Sequence, residues 1–221
     1  MSFNRNIIEL MGDEQSIDSP EMMVREDAFV MNDDIKIELI ENHFTEIMRV
    51  LGLNLNDDSL SGTPQGVAKM YVKEIFGGLN PANKPDATLF ENKYQYAEML
   101  IEKDITLYSF CEHHFLPIIG KVQVAYFPNR KVIGLSKINR LVQYYASRPQ
   151  VQERLTEQIA KGLKEALQTN DIAVMIDVEH LCVRSRGIKD TNSTTHTASY
   201  SGKFKEEKLQ IKFIALTNNC K

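Results

Sequence analysis

Lys-Val-Gln-Val-Ala-Tyr at 121–126 is the stretch on which the fold class turns. Val122, Val124 and Tyr126 alternate with Lys121, Gln123 and Ala125, the period-two pattern of a strand with one face in a core. Pro128-Asn129 then offers a turn into Val132-Ile133, which predicts a β-hairpin. Upstream, Ile105, Leu107 and Ser109 begin an earlier strand with the same period. Downstream, Ile172, Val174, Ile176 and Val178 make a long strand, and Leu209, Ile211 and Phe213 make the last. Two helices separate these strands. Ser136 is placed to cap the first, whose stripe is Ile138, Leu141, Val142 and Tyr145. The second starts near Pro149, with Val151, Leu155, Ile159, Leu163 and Leu167 on one face. Strands flanking two adjacent helices predict an α+β fold: an antiparallel sheet with helices packed on one face, not parallel βαβ units.

Working outward, residues 33–78 read as helical. Ile37, Ile40, Phe44, Ile47 and Leu51 recur at three- and four-residue steps, with Asn32 or Asp33 to cap the start and Gly52 to close the end. A second helix opens at Thr63-Pro64, a capping hydroxyl followed by proline, and carries Val67, Tyr71 and Ile75 up to Gly77-Gly78. Residues 80–93, with Pro81 and Pro85, read as a loop. The expected organisation is a flexible N-terminal arm (1–32), an N-terminal helical region (33–96) and a sheet domain (97–221).

The chain has 221 residues, of which 43% are hydrophobic and 25% charged, the balance of a globular protein. Its 26 Lys and Arg against 30 Asp and Glu give a net charge of −4, which excludes a general nucleic-acid binder. No apolar run reaches the roughly 18 residues of a membrane span. The start, MSFNRNIIELMGDEQ, lacks the apolar core of a secretory signal, so a cytoplasmic protein is expected. Three cysteines (Cys111, Cys182, Cys220) are too few for a disulfide framework, and sparse cysteines near histidines read better as metal ligands.

The densest chemical signal is Cys111-Glu112-His113-His114. A turn can aim Cys111 and His114 at one ion, a common half-site for zinc. His180-Leu181-Cys182 follows the 172–178 strand. If the strand continues through it, His180 and Cys182 share a face. A structural zinc wants four protein ligands, and Glu112 is the nearest candidate for the fourth. A catalytic zinc keeps three and leaves a position for water. Cys111, His114 and Cys182 make three, with His113 and His180 left as imidazoles suited to proton transfer. The bland alternative is a pair of core thiols, or a disulfide on oxidation. The H-x-E plus C-x-x-C pattern of zinc nucleobase deaminases is absent.

A basic constellation accompanies this cluster. Ser136, Lys137 and Arg140 lie on the first turns of one helix, where free N–H groups and the helix dipole favour anions. Arg184 and Arg186, two apart, can join them in clamping a polyphosphate. No G-x-x-x-x-G-K-[ST] motif exists, so this is not a P-loop protein. Gln152-Glu153 supplies a carboxylate that can accept from two adjacent N–H donors, such as guanine N1 and N2. His43, His196 and Cys220 receive no role, and Thr191–Ser201 reads as a polar loop.

Over most of its length the chain resembles GTP cyclohydrolase I. The stretches that carry the resemblance are CEHHFLPIIGKVQVAYFP (111–128), GLSKINRLVQ (134–143), RPQVQERLTEQIA (148–160) and HLCVRSRGI (180–188), with Thr191–Lys203 in register and SGTPQGVAKM (61–70) in the helical region. The resemblance implies the tunnelling fold (T-fold), in which antiparallel sheets of several subunits close a barrel with helices outside. It implies a homodecamer of two pentamers with active sites at subunit interfaces. It implies conversion of GTP and water to formate and 7,8-dihydroneopterin triphosphate, the entry step of folate and tetrahydropterin synthesis. On this basis Cys111, His114 and Cys182 are expected to ligate zinc, which activates water against guanine C8. His113 and His180 are expected to move protons. Glu153, with Gln152 beside it, is expected to grip the guanine edge, Ser136 to lie near the ribose, and Lys137, Arg140 and Arg186 to hold the triphosphate. The chain carries no long N-terminal extension of the kind some animal enzymes of this family have, so control by a feedback protein is not expected.

Overall fold

Alternation at 121–126 does mark a strand, and that strand is central. The computed structural model describes residues 24–25 and 27–218. Most of the expected N-terminal arm (1–32) and Cys220 lie outside them. β3 (Pro117–Tyr126) pairs antiparallel with β2 (Leu100–Cys111) on one side and with β6 (Ile172–His180) on the other. β7 (Thr195–Tyr200) extends the sheet beyond β6, and the two-residue β5 (Pro149–Gln150) pairs in parallel with the end of β2. The order is β5-β2-β3-β6-β7.

Two helices cover one face, as the pattern predicts. α3 (Leu135–Ala146) buries Ile138, Leu141, Val142 and Tyr145, and α4 (Gln152–Leu167) buries Leu155, Ile159, Leu163 and Leu167. These meet Ile105, Leu107, Val122, Val124, Tyr126, Val174 and Ile176 in one core. This largely antiparallel sheet with its helix pair is the α+β arrangement that the sequence pattern predicts. Ser136 does not cap α3: Gly134 holds the N-cap and the hydroxyl sits inside the first turn.

Three strand assignments need correction. Val132-Ile133 does not return along 121–126. β4 (Lys131–Ile133) pairs instead with β1 (Leu89–Glu91), inside the stretch read as loop. Leu209, Ile211 and Phe213 are not a strand but part of α6 (Glu207–Asn218). Phe213 is buried against Phe204, Ala173 and Met175 on the sheet's other face, while Ile211 stays 60% exposed. Four-residue spacing from Leu209 to Phe213 is the meaningful one. Conversely, the polar run 191–201 contains β7, whose threonines suit a half-exposed edge.

In the helical region, α1 (Asp33–Val50) begins where Asn32 accepts from the Ile35 N–H (2.9 Å), and Gly52, at φ +81°, follows its end. Ile37 and Met48 are its buried residues, with Ile40 and Phe44 half-buried on the same line, and Ile47 and Leu51 remain exposed. α2 (Thr63–Lys69) has Thr63 inside its first turn and Gly62 at the cap, so the hydroxyl makes no capping bond. A π-helical turn, Met70–Ile75, continues α2. It carries Tyr71 toward Phe115 (centroids 6.2 Å apart), and Phe76 just beyond it meets Phe115 at 5.0 Å and Phe110 at 5.9 Å. This aromatic cluster seats the β2–β3 turn. Among the described residues no helix is long and apolar enough to cross a membrane.

Candidate metal centre

The parity that buries Ile105, Leu107 and Ser109 on the helix side of β2 also turns Cys111 inward, to 5% exposure. The chain then reverses. Cys111 N–H donates to Leu116 O (2.8 Å) and Phe115 N–H to Cys111 O (2.8 Å). Phe115 takes φ +52°, a left-handed conformation that costs a bulky residue roughly 1 kcal/mol or more. The aromatic cluster around its ring offsets that strain. On the far side, Ile118 of β3 lies opposite His180 of β6, so β6 ends beside the turn. The chain does not stay extended there. His180 is the N-cap of α5 (Leu181–Arg184), which swings Cys182 inward rather than leaving it on the strand face.

The result is convergence. Ligand atoms of Cys111, His114 and Cys182 all lie within 4.8 Å of one another and can hold a metal ion. His114 Nδ1 is 3.9 Å from Cys111 Sγ. Burial, followed by the neighbouring Cys111 sulfur, pushes the Cys182 thiol above its usual range. A buried thiol beside a second sulfur resists ionising, and a thiophilic divalent cation removes that penalty. The donor set therefore fits a metal on its own chemistry. Glu112 is not in the converging group. Its carboxylate takes Arg154 Nη1 (2.5 Å) and Nη2 (3.4 Å) from α4. Among the described residues the cysteine–histidine group thus has three protein donors, as a site with an open position requires.

The two remaining imidazoles stand around this group. His113 is half-exposed, its Nδ1 3.7 Å from Cys111 Sγ and its Nε2 3.8 Å from Glu112 Oε1. His180 is half-buried, and burial pushes its pKa below the ordinary imidazole value, partly offset by the charge of Glu153. It is therefore neutral at pH 7 and able to take a proton. Glu153 is exposed in the first turn of α4. β5 puts it there by pairing Cys111 with Gln150, and Glu112 N–H donates to Gln150 O (3.0 Å). Gln152, next to it, is buried, its amide engaged with His180 and two backbone carbonyls.

Arg186 comes to the same place, with Nη1 2.8 Å from His114 Nε2. A ring that ligates through Nδ1 carries its proton on Nε2 and no longer accepts from Arg186, so the guanidinium becomes available to an anion. Arg184 does not share that face. It pairs with Glu179 on β6.

Ser136, Lys137 and Arg140 are not part of this cluster within one chain. α3 runs alongside β2 in the same direction: Gln143 Nε2 donates to Thr106 O (2.5 Å) and Ser109 Oγ to Ala146 O (2.8 Å). The helix start is therefore roughly 15–20 Å back from Cys111 along the strand. Among the described residues neither Lys137 nor Arg140 makes an ion pair.

Comparison with known proteins decides the family. The sequence model described as GTP cyclohydrolase I matches residues 40–218. The chain belongs to the GTP cyclohydrolase I family. GTP cyclohydrolase 1 of Flavobacterium johnsoniae is 54% identical over 211 residues, 96% of this chain and 95% of that protein. Its counterpart in Erwinia tasmaniensis is 57% identical over 175 residues, 79% of each chain. That of Citrobacter koseri is 54% identical over 185 residues, 84% of this chain and 83% of the other. The span covered by the family includes every residue of the metal group.

Zinc titration followed by elemental analysis should find one ion per chain, lost in Cys182→Ala and retained in His180→Ala. Apparent affinity should climb as pH rises through and above the ordinary thiol range, because the Cys182 proton must leave before the sulfur ligates. Loss of the ion in His180→Ala would show that the ligand set is wrong.

Proposed function

We infer that this chain is a GTP cyclohydrolase I, a hydrolase that converts GTP and water to formate and 7,8-dihydroneopterin triphosphate at the entry to folate and tetrahydropterin synthesis. The observation that carries this reading is the convergence of Cys111, His114 and Cys182, with two further imidazoles beside them, in a chain of this family. Zinc is the ion the donor set suits best, since two sulfurs and one imidazole match its preferences. Bound there, zinc supplies a Lewis acid that makes water acidic enough to react near pH 7.

The residues take the following parts. The Glu153 carboxylate accepts from guanine N1–H and N2–H, which presents C8 to the metal side. His180, neutral at pH 7, and His113, open to solvent, move protons to and from N7 and the attacking water as C8 becomes tetrahedral and the imidazole ring opens. Burial of Cys111 keeps bulk water from one side of the site. Arg186 receives triphosphate charge.

Ser136, Lys137 and Arg140 complete the triphosphate pocket from a second copy. Their distance from Cys111 in one chain supports this, because no side chain bridges about 15–20 Å. The homodecamer of two pentamers supplies such a neighbour. Exposed apolar residues on and just after α1 (Ile35, Leu39, Ile47, Val50, Leu51, Leu53) suit contact between copies. The site needs both thiols reduced, which fits a cytoplasmic setting.

Zinc-loaded protein incubated with GTP should release formate and a pterin that fluoresces after oxidation; full zinc occupancy without product would reject the function. In Glu153→Ala, preference for GTP over ITP, which lacks the exocyclic amine, should fall by about tenfold or more, read from the kcat/KM ratio. Cys111→Ala and Lys137→Ala should each be inactive alone. Unfolded and refolded together, they should regain part of the activity, because hybrid interfaces pair an intact metal group with an intact α3 start. No recovery in verified hybrids would place Lys137 and Cys111 in a site built from one chain.

A further inference from the structure

Gln152 stands out because its side chain is fully committed inside the protein. It is 3% exposed. Nε2 lies 3.2 Å from Ile176 O on β6 and 3.0 Å from Thr195 O on β7, while Oε1 lies 2.9 Å from His180 Nε2. Backbone carbonyls only accept, so the amide NH2 must face them. Flipping the amide would set its oxygen against two carbonyl oxygens and leave its NH2 toward the ring. The orientation is therefore fixed, and the atom presented to His180 is an acceptor. The ring nitrogen opposite it has to donate.

We propose that Gln152 is a positioning residue that locks His180 as the Nε2–H tautomer, so that Nδ1 is the atom through which this imidazole exchanges protons with substrate. A neutral imidazole carries one N–H, so a proton held at Nε2 leaves the lone pair on Nδ1. The contact survives the chemistry: when Nδ1 takes a proton, Nε2 still donates to Gln152, and the ring keeps its aim in both states. The anchor spans three elements. α4 holds the Gln152 backbone, where Thr156 Oγ1 donates to Gln152 O (2.8 Å), and β6 and β7 hold the amide. Thr156 Oγ1 also meets Thr197 Oγ1 at 2.7 Å, which braces α4 against β7 a second time. The polar strand β7 thus steadies a catalytic ring it does not touch. This replaces the direct guanine contact that the family resemblance implies for Gln152, since both amide hydrogens are already used. The part given to Nδ1 rests on the GTP cyclohydrolase reading; the tautomer does not.

The test uses zinc-loaded protein labelled with 15N-histidine, examined by magic-angle-spinning NMR at mildly alkaline pH, where the ring is neutral. His180 is assigned by its absence in His180→Asn. The expected spectrum has a bare Nδ1 and a protonated Nε2, and Gln152→Met should convert it to a mixture of tautomers. In the same variant kcat for GTP should fall about 100-fold with KM nearly unchanged and zinc retained. An Nδ1–H tautomer in the wild-type protein would overturn the proposal. So would a variant that keeps kcat, or one that loses affinity for GTP instead, which would make Gln152 a direct contact. Should Gln152→Met fail to fold, the wild-type spectrum still decides. Should wild-type protein not turn over GTP, the functional reading fails and the tautomer is still read.

Discussion

β3 hydrogen-bonds to β2 along one edge and to β6 along the other, and the metal group depends on that double pairing. Phe110 lies opposite Pro117 and Ile118 opposite His180, so the end of β2 and the end of β6 are delivered to the same end of the sheet. Cys111 leaves one strand and Cys182 follows the other. Register is the sensitive quantity. A slip of one residue would send Cys111 to the opposite face and separate the two sulfurs. Large buried residues on the helix side, from Leu107 to Tyr126 and Ile176, make such a slip costly, so the same packing that stabilises the core also fixes the site.

Around this constraint the polar groups are arranged in two layers. Cys111, His114 and Cys182 converge, with His113 beside Cys111 and Arg186 beside His114. Behind them, Arg154 holds Glu112, Gln152 holds His180, and the Tyr71, Phe76, Phe110 and Phe115 rings hold the turn. The second layer ties α4, β7 and the N-terminal helices to the metal group. Preorganisation of this kind matters because misplacement by an ångström costs a catalyst heavily.

Much of this was legible in sequence, for identifiable reasons. Ile172 to Val178 and the stripes of α3 and α4 are long periodic runs in which tertiary packing agrees with local pattern, and all form the expected elements. Cys111, His114 and Cys182 were readable from residue type and spacing together with the resemblance. What failed was short or ambiguous. Leu209, Ile211 and Phe213 match period two, yet Leu209 and Phe213 also match a helical step, and three positions cannot separate the two. β7 carries threonine and serine where a strand signal needs apolar residues, and its role as a brace for Gln152 has no local signature at all. Val132-Ile133 is correctly a strand, but its partner at 89–91 is remote, and no periodicity names a partner. Arg154 has no signal of its own in sequence, since one arginine after a glutamate looks like solvated charge; only the fold brings it to Glu112.

The proposed function requires one ion that meets two sulfurs and one imidazole and keeps a place open. X-ray absorption at the zinc edge of the loaded enzyme reads that shell directly. Two sulfurs at about 2.3 Å and two lighter atoms at about 2.0–2.1 Å, one of them an imidazole nitrogen and the other a replaceable water oxygen, are the predicted result. A shell with a single sulfur, or one closed by four protein ligands with no replaceable oxygen, would contradict it.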